Sequence, residues 1–310
     1  MSSVRSGRVG MIVIGAVIAL AVAAAVLIAM RSAPVASPAP SEPEDVVPGP
    51  RVVTLSPALA AIAADLGFER FIVGRHGWDI VLDPSLPVCG DQSGVDYEAL
   101  LAVSPTHIYI QWGARELPDR LATLADRRGW TVRALDPLAL ADITGAARAI
   151  TDDLGPLDPE NTTASARVEQ FERFASGEGP KTGYQGRVLL LASADPPAAL
   201  GPRSFHHEML EAVGGVPALD RGSPWIELDR EDLIAIDADA IVLFRATSPG
   251  SPAEEFTDAA SAFAGLRAHE QGRVAVLSGP EVLLPGTRLL DRSRELRETL
   301  DSWASAIDPG

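Results

Sequence analysis

The sequence predicts an α/β protein: two parallel-sheet α/β lobes joined by a single long helix and preceded by an N-terminal transmembrane helix. Three observations carry this reading. From residue 51 onward, short β-type runs alternate with helical runs, the grammar of a parallel, helix-covered sheet. The same grammar restarts after residue 186. Ahead of both lies an uncharged run of 22 residues, 9–30.

That run covers roughly 30 Å as a helix, the thickness of a bilayer's hydrocarbon core. Arg5 and Arg8 precede it, so the positive-inside preference leaves the N-terminus cytoplasmic and sends the rest outside. A cleaved signal peptide is the other reading. Its apolar region spans only about 7–15 residues, and Pro34, Pro38 and Pro40 stand where cleavage would fall. An uncleaved anchor over residues 1–31 is therefore preferred, and no cysteine follows closely enough for a lipid anchor. Residues 32–50, rich in Pro, Ser and acid, read as an extended linker.

The N-terminal lobe is expected over 51–155. Its first strand, RVVTL from Arg51, meets Ser56-Pro57, an N-cap followed by proline at the first helical position. Further helices are expected near 57–66, 96–103, 116–128 and 140–154, with strands near 71–73, 107–110 and 131–134. Residues 156–185 hold the connecting helix, whose apolar positions Val168, Phe171 and Phe174 form one narrow stripe. The C-terminal lobe, 186–310, repeats the first. RVLLL from Arg187 matches RVVTL, and the segment from Tyr97 aligns without gaps on that from Arg230. Glu98 falls on Glu231, Leu100 on Leu233, Ala102 on Ala235 and Ile108 on Ile241.

Composition excludes several functions. With 26 basic and 42 acidic residues the formal net charge is −16, the wrong sign for a nucleic-acid partner. Residues 31–310 hold 24 basic and 42 acidic groups, net −18, so the charge split is topological: a basic stub, a neutral span and an acidic body. The lone Cys89 excludes disulfide frameworks and cysteine-rich zinc sites. Lys181 is the only lysine, which rules out lysine chemistry elsewhere.

Two lobes imply a cleft, the usual place for a ligand, lined by loops at the C-terminal ends of the strands. The first lobe offers Ser56, then Arg75, His76 and Trp78, then Trp112; the second offers Trp225 and Arg245. Three of the five tryptophans stand in these expected loops, away from core strands. His206, His207 and Glu208 are the candidates for a metal-dependent hydrolase. Adjacent histidines on a helix point about 100° apart and make no i,i+4 chelate, so no resident metal, cofactor or catalytic residue is expected. No G-x-S-x-G, Walker loop or G-x-G-x-x-G follows an expected strand.

Taken in order, RVVTLSPALAAIAADLG, VGRHGWD, VDYEALLAVSPTHIYI, GPRSFHHEMLEAVGG, SPWIELDREDLIAIDADAIVL, QGRVAVLSG and LLPGTRLLDRSRELRETL cover roughly residues 51–305. In this order the chain resembles the ABC-transporter substrate-binding proteins that serve cobalamin, iron–siderophores and haem. The resemblance implies two α/β lobes bridged by one long helix. It also implies that Glu98 and Glu231, one per lobe, dock into arginines of a two-fold ABC permease. Trp225, His76 to Trp78 and Trp112 look like the cobalamin-binding pattern. Arg75 and Arg245 suit an anionic iron chelate, and His76 is the candidate axial ligand for haem. The chain departs from the family in Cys89 before Gly90 and in Trp78 where a tyrosine is usual.

The expected function is capture of a cobalamin-like or ferric-chelate small molecule and its delivery to the permease, without chemistry. The protein would stand single-pass in the cytoplasmic (inner) membrane, with its body on the extracytoplasmic side. A membrane-tethered sensor or interaction module with the same fold is the alternative.

Overall fold

The computed structural model describes residues 49–113, 116–247 and 262–307. The expected anchor over 9–30 and nearly all of the linker over 32–50 lie outside these described residues. Among the described residues, no helix is long and apolar enough to cross a membrane.

Six strands build the first sheet: β1 (Val52–Leu55), β2 (Ile72–His76), β3 (Val88–Asp91), β4 (Gly94–Val95), β5 (His107–Ile110) and β6 (Thr131–Ala134). Their order is β4-β3-β2-β1-β5-β6, and every neighbouring pair except β3 with β4 is parallel. The second sheet contains β7 (Arg187–Ala194), β8 (Pro197–Leu200), β9 (Val216–Pro217), β10 (Trp225–Glu227), β11 (Ala240–Ala246) and β12 (Val274–Gly279). Its path is β10-β8-β7-β11-β12, with β9 beside β7. There β7, β11 and β12 run parallel, while β8 is antiparallel to both β7 and β10.

Both sheets are therefore mixed, which corrects the expectation of two parallel ones. The cause is local turn chemistry. Asp91 Oδ1 accepts the Ser93 N–H at 2.7 Å and Gly94 takes φ 142°, folding β4 back on β3. An alternation of strand and helix runs cannot register a two-residue return strand.

Nine helices are described: α1 (Pro57–Asp65), α2 (Tyr97–Val103), α3 (Asp119–Arg128), α4 (Leu140–Leu154), α5 (Thr163–Ala175), α6 (Phe205–Ala212), α7 (Arg230–Ile236), α8 (Arg267–Glu270) and α9 (Leu289–Ile307). The strands sort them into layers by their period of two. On β5, Tyr109 enters one core, while Ile108 and Ile110 enter another under α2 and α3. On β11, Val242 and Phe244 enter the same core as Tyr109, and Ile241 and Leu243 face a third core under α7 and α8.

The shared core decides the architecture. It runs from Val52 and Leu59 in the first lobe through Phe171 to Leu190 and Leu300 in the second. The two sheets thus clasp a middle layer of α1, α4, α5, α6 and α9. The helix expected within 156–185 is α5, shorter than that stretch. α5 has thirteen residues, about 20 Å of helix, and it packs against α4 and α6 as one member of that layer. Its expected stripe, Val168, Phe171 and Phe174, is buried there. Polar ties cross between lobes too. Glu208 Oε2 accepts the Leu140 N–H at 2.7 Å, and buried Asp65 accepts from Thr287 Oγ1 and the Arg288 N–H, each at 3.1 Å.

The internal repeat reaches down to individual hydrogen bonds. Arg51 donates to Val103 O, the last residue of α2, and Arg187 donates to Ile236 O, the last residue of α7. The Arg51 N–H meets Thr106 Oγ1 at 2.9 Å, and the Arg187 N–H meets Asp239 Oδ2 at 2.8 Å. Both helices begin at an aspartate cap, Asp96 or Asp229. Both end on a left-handed residue other than glycine, Ser104 at φ 44° and Asp237 at φ 47°.

Candidate ligand-binding site

A cavity of about 250 Å³ opens at the C-terminal edge of the first sheet. The ends of β1, β2 and β5 deliver Ser56, His76 and Trp112 to it, three of the expected residues. This is where a parallel sheet places its loops and the N-termini of the following helices. Ser56 caps α1, with its Oγ accepting the Leu59 N–H at 3.4 Å. The same hydroxyl donates to Gln111 Oε1 at 2.9 Å, which turns the Gln111 amide nitrogen away from Ser56.

His76 is only 6% exposed. Its Nδ1 accepts the Trp78 N–H at 3.1 Å, so the neutral ring keeps its proton on Nε2. Burial lowers its pKa below the ordinary histidine value, and Asp91 and Asp79 offset this only in part. The half-buried Trp112 donates from Nε1 to Glu116 O at 3.0 Å.

The remaining expected residues lie apart from this cavity. Arg75 spends its guanidinium on its own loop, donating to Pro84 O at 2.9 Å and to His76 O at 3.1 Å. Trp78 stands 68% exposed just beyond His76. Trp225 opens β10, opposite Leu200, and is 51% exposed. Arg245 sits near the end of β11, half-buried, immediately before residues 248–261, which lie outside the described set.

Gln111 lies in the expected third cleft segment, beside Trp112, whereas the β3–β4 hairpin, with Gly90, Asp91 and Gln92, was not expected to line the cavity. Pairing of β2 with β3 sets Gly90 against His76. A Cβ on Gly90 would come within 2.9 Å of Gly94 O, so only glycine fits there. The available signal was CGDQSG at 89–94, an Asp-x-Ser turn beside glycines, which marks a tight hairpin.

The histidine pair assembles no metal site. His206 Nε2 donates to Val282 O at 2.8 Å inside the core, and burial pushes its pKa down to about 4. His207 Nε2 meets Leu219 O at 3.0 Å, while Glu208 reaches across to α4. Among the described residues no three His, Cys, Asp or Glu side chains cluster as a metal would require.

No family model matches the chain, and no curated protein does. Solved structures do. The chain is similar to the periplasmic heme-binding protein HutB of Vibrio cholerae at 16% identity and a TM-score of 0.62, over 81% of this chain and 98% of that one. It is similar to the periplasmic heme-binding protein RhuT from Roseiflexus sp. RS-1 at 21% identity and a TM-score of 0.60, over 83% and 99%. For the periplasmic vitamin B12-binding protein BtuF of Vibrio cholerae the values are 18% and 0.57, over 83% and 98%. This is the periplasmic binding-protein fold.

Within the binding-protein fold, Glu98 and Glu231 hold equivalent places. Each is the second residue of its seven-residue helix, α2 or α7, and each is exposed. Among the described residues neither carboxylate makes a hydrogen bond or ion pair.

Proposed function

We propose that the protein is an extracytoplasmic solute-binding protein that captures a cobalamin-like or iron-chelate ligand and hands it to an ABC permease. It performs no chemistry on the ligand. The cavity at the edge of the first sheet carries this reading, because it gathers Ser56, His76 and Trp112 where the binding-protein fold leaves its strand ends. Its 250 Å³ falls below the roughly 300–1,000 Å³ of a pocket for a whole small molecule. It takes one edge of a macrocycle, with the exposed Trp78 and Trp225 as apolar surface for the remainder.

Glu98 and Glu231 fit a permease dimer, since a two-fold partner meets equivalent residues of a repeat. Such exposed charges set orientation and partner choice more than affinity. A sensor would have no use for two exposed carboxylates at repeat-related positions, which favours transport. Residues 9–30 would hold the body at the inner membrane and raise its concentration at the permease.

The test is calorimetry of the full chain in mild detergent against cyanocobalamin, haemin and a ferric siderophore. One of the three should bind at micromolar concentration or tighter. Silence from all three would remove the ligand assignment.

A further inference from the structure

The polar atoms around the cavity specify more than a place to bind. His76 is more than nine-tenths buried. With Nδ1 taken by the Trp78 N–H, its Nε2–H is left without a protein partner among the described residues and is not sealed from the cavity. Gln111 is locked by Ser56 through its oxygen, so its amide N–H groups are the free ones. Asp91 Oδ1 is held by the Ser93 N–H, which leaves Oδ2 as an acceptor. Among the described residues, no arginine or lysine lines the cavity.

The donors His76 and Gln111, the acceptor Asp91 and the Gln92 amide, which is both, match a single small group well, with no cation beside them among the described residues. A carboxylate would find donors but no counter-charge, and it would meet Asp91. A metal centre would need a lone pair on His76 Nε2, where the proton resides. A primary carboxamide offers its carbonyl oxygen to His76 and Gln111 and its N–H to Asp91. We infer that this cavity is a carboxamide subsite, so that the ligand class is a macrocycle edged with carboxamides, a corrinoid, rather than one edged with carboxylates. This rests on the solute-binding reading and narrows it.

The test compares dicyanocobinamide with the corresponding heptacarboxylate, dicyanocobyrinic acid, by calorimetry on the full chain. The amide probe should bind roughly tenfold or more tightly than the acid, as expected where a mismatched group leaves buried partners unpaired. Gln111→Leu should weaken the amide probe several-fold and Gln111→Glu more than that. Asp91→Asn should improve binding of the acid probe while weakening that of the amide. Equal binding of both probes, or an Asp91→Asn effect alike on both, overturns the subsite and leaves the solute-binding reading standing. Binding of haemin or a ferric siderophore alone does the same. Binding of none overturns both. Independently of any ligand, ¹⁵N NMR of the histidine-labelled chain should find the His76 proton on Nε2. A proton on Nδ1 overturns the inference whatever binds.

Discussion

The two lobes share a plan and differ at one edge. In the first, β1 runs directly into the Ser56 cap of α1, and the end of the sheet stays open as a cavity. In the second, β7 turns back into β8 before α6 begins at its own serine cap, Ser204. There the serine hydroxyl donates to Gly201 O at 2.7 Å, inside the protein. An identical cap thus serves a cavity in one lobe and a sealed turn in the other. The difference teaches that a repeat preserves the frame, while one inserted hairpin decides whether the serine cap faces a cavity or the protein interior.

The strongest way to break the comparison is to ask whether the lobes are separate at all. Phe171 is fully buried in the core that both sheets share. Phe171→Ala should cost about 3–5 kcal/mol, and urea unfolding should remain one transition by circular dichroism and by tryptophan fluorescence. Two separated transitions would mean that the lobes fold independently and that the shared core does not couple them.

Acid should expose a difference between α1 and α6. The second residue of α1 is Ala58, whereas that of α6 is His206, buried neutral against Phe205 and Phe244 with its pKa lowered from 6.5 to about 4. Below pH 6.5 the unfolded chain binds a proton that the native ring refuses. Stability is therefore full above that pH and falls as pH drops toward 4. The loss approaches about 3 kcal/mol. His206→Gln keeps an N–H for Val282 O and should remove this part of the slope, measured by urea midpoints at stepped pH. An unchanged slope would assign the acid sensitivity elsewhere.

The smallest effect tests the repeat itself. Arg51→Ala and Arg187→Ala each remove a cationic donor from the C-terminal carbonyls of α2 or α7. Each should cost about 1 kcal/mol, and the two losses should agree to within a few tenths. A large loss at one and none at the other would mean that the two arginines are equivalent in position only.

Much of this frame was legible in the sequence. The strands 107–110 and 131–134 and the helix over 140–154 appear as expected, because apolar periodicity reports which face of an element is buried. The alignment of Tyr97 with Arg230 was legible for the same reason, and Glu98 and Glu231 do stand at the same position of α2 and α7. Less legible was anything made by a turn. The strands β4, β8 and β10 are too short for periodicity, and they convert parallel sheets into mixed ones. Trp78 and Trp225 were both expected in loops, yet Trp225 opens β10, and nothing local distinguishes an aromatic on a cavity wall from one on a surface.

By itself the sequence determined the α/β class, the repeat, the acidic body behind an uncharged span, and the presence of Ser56, His76 and Trp112 at strand ends. These are properties of period, charge and spacing, which a linear chain carries in full. Only the tertiary structure decided that one core joins both sheets, since the inward faces of Val52 and Leu190 look alike until one core gathers both, with Phe171 among its members. Only it decided which atoms of His76 and Gln111 remain free, because the Trp78 N–H and the Ser56 hydroxyl that hold them come from a turn and from a neighbouring strand. Donor or acceptor character belongs to an arrangement of side chains, and no single residue in the chain carries it.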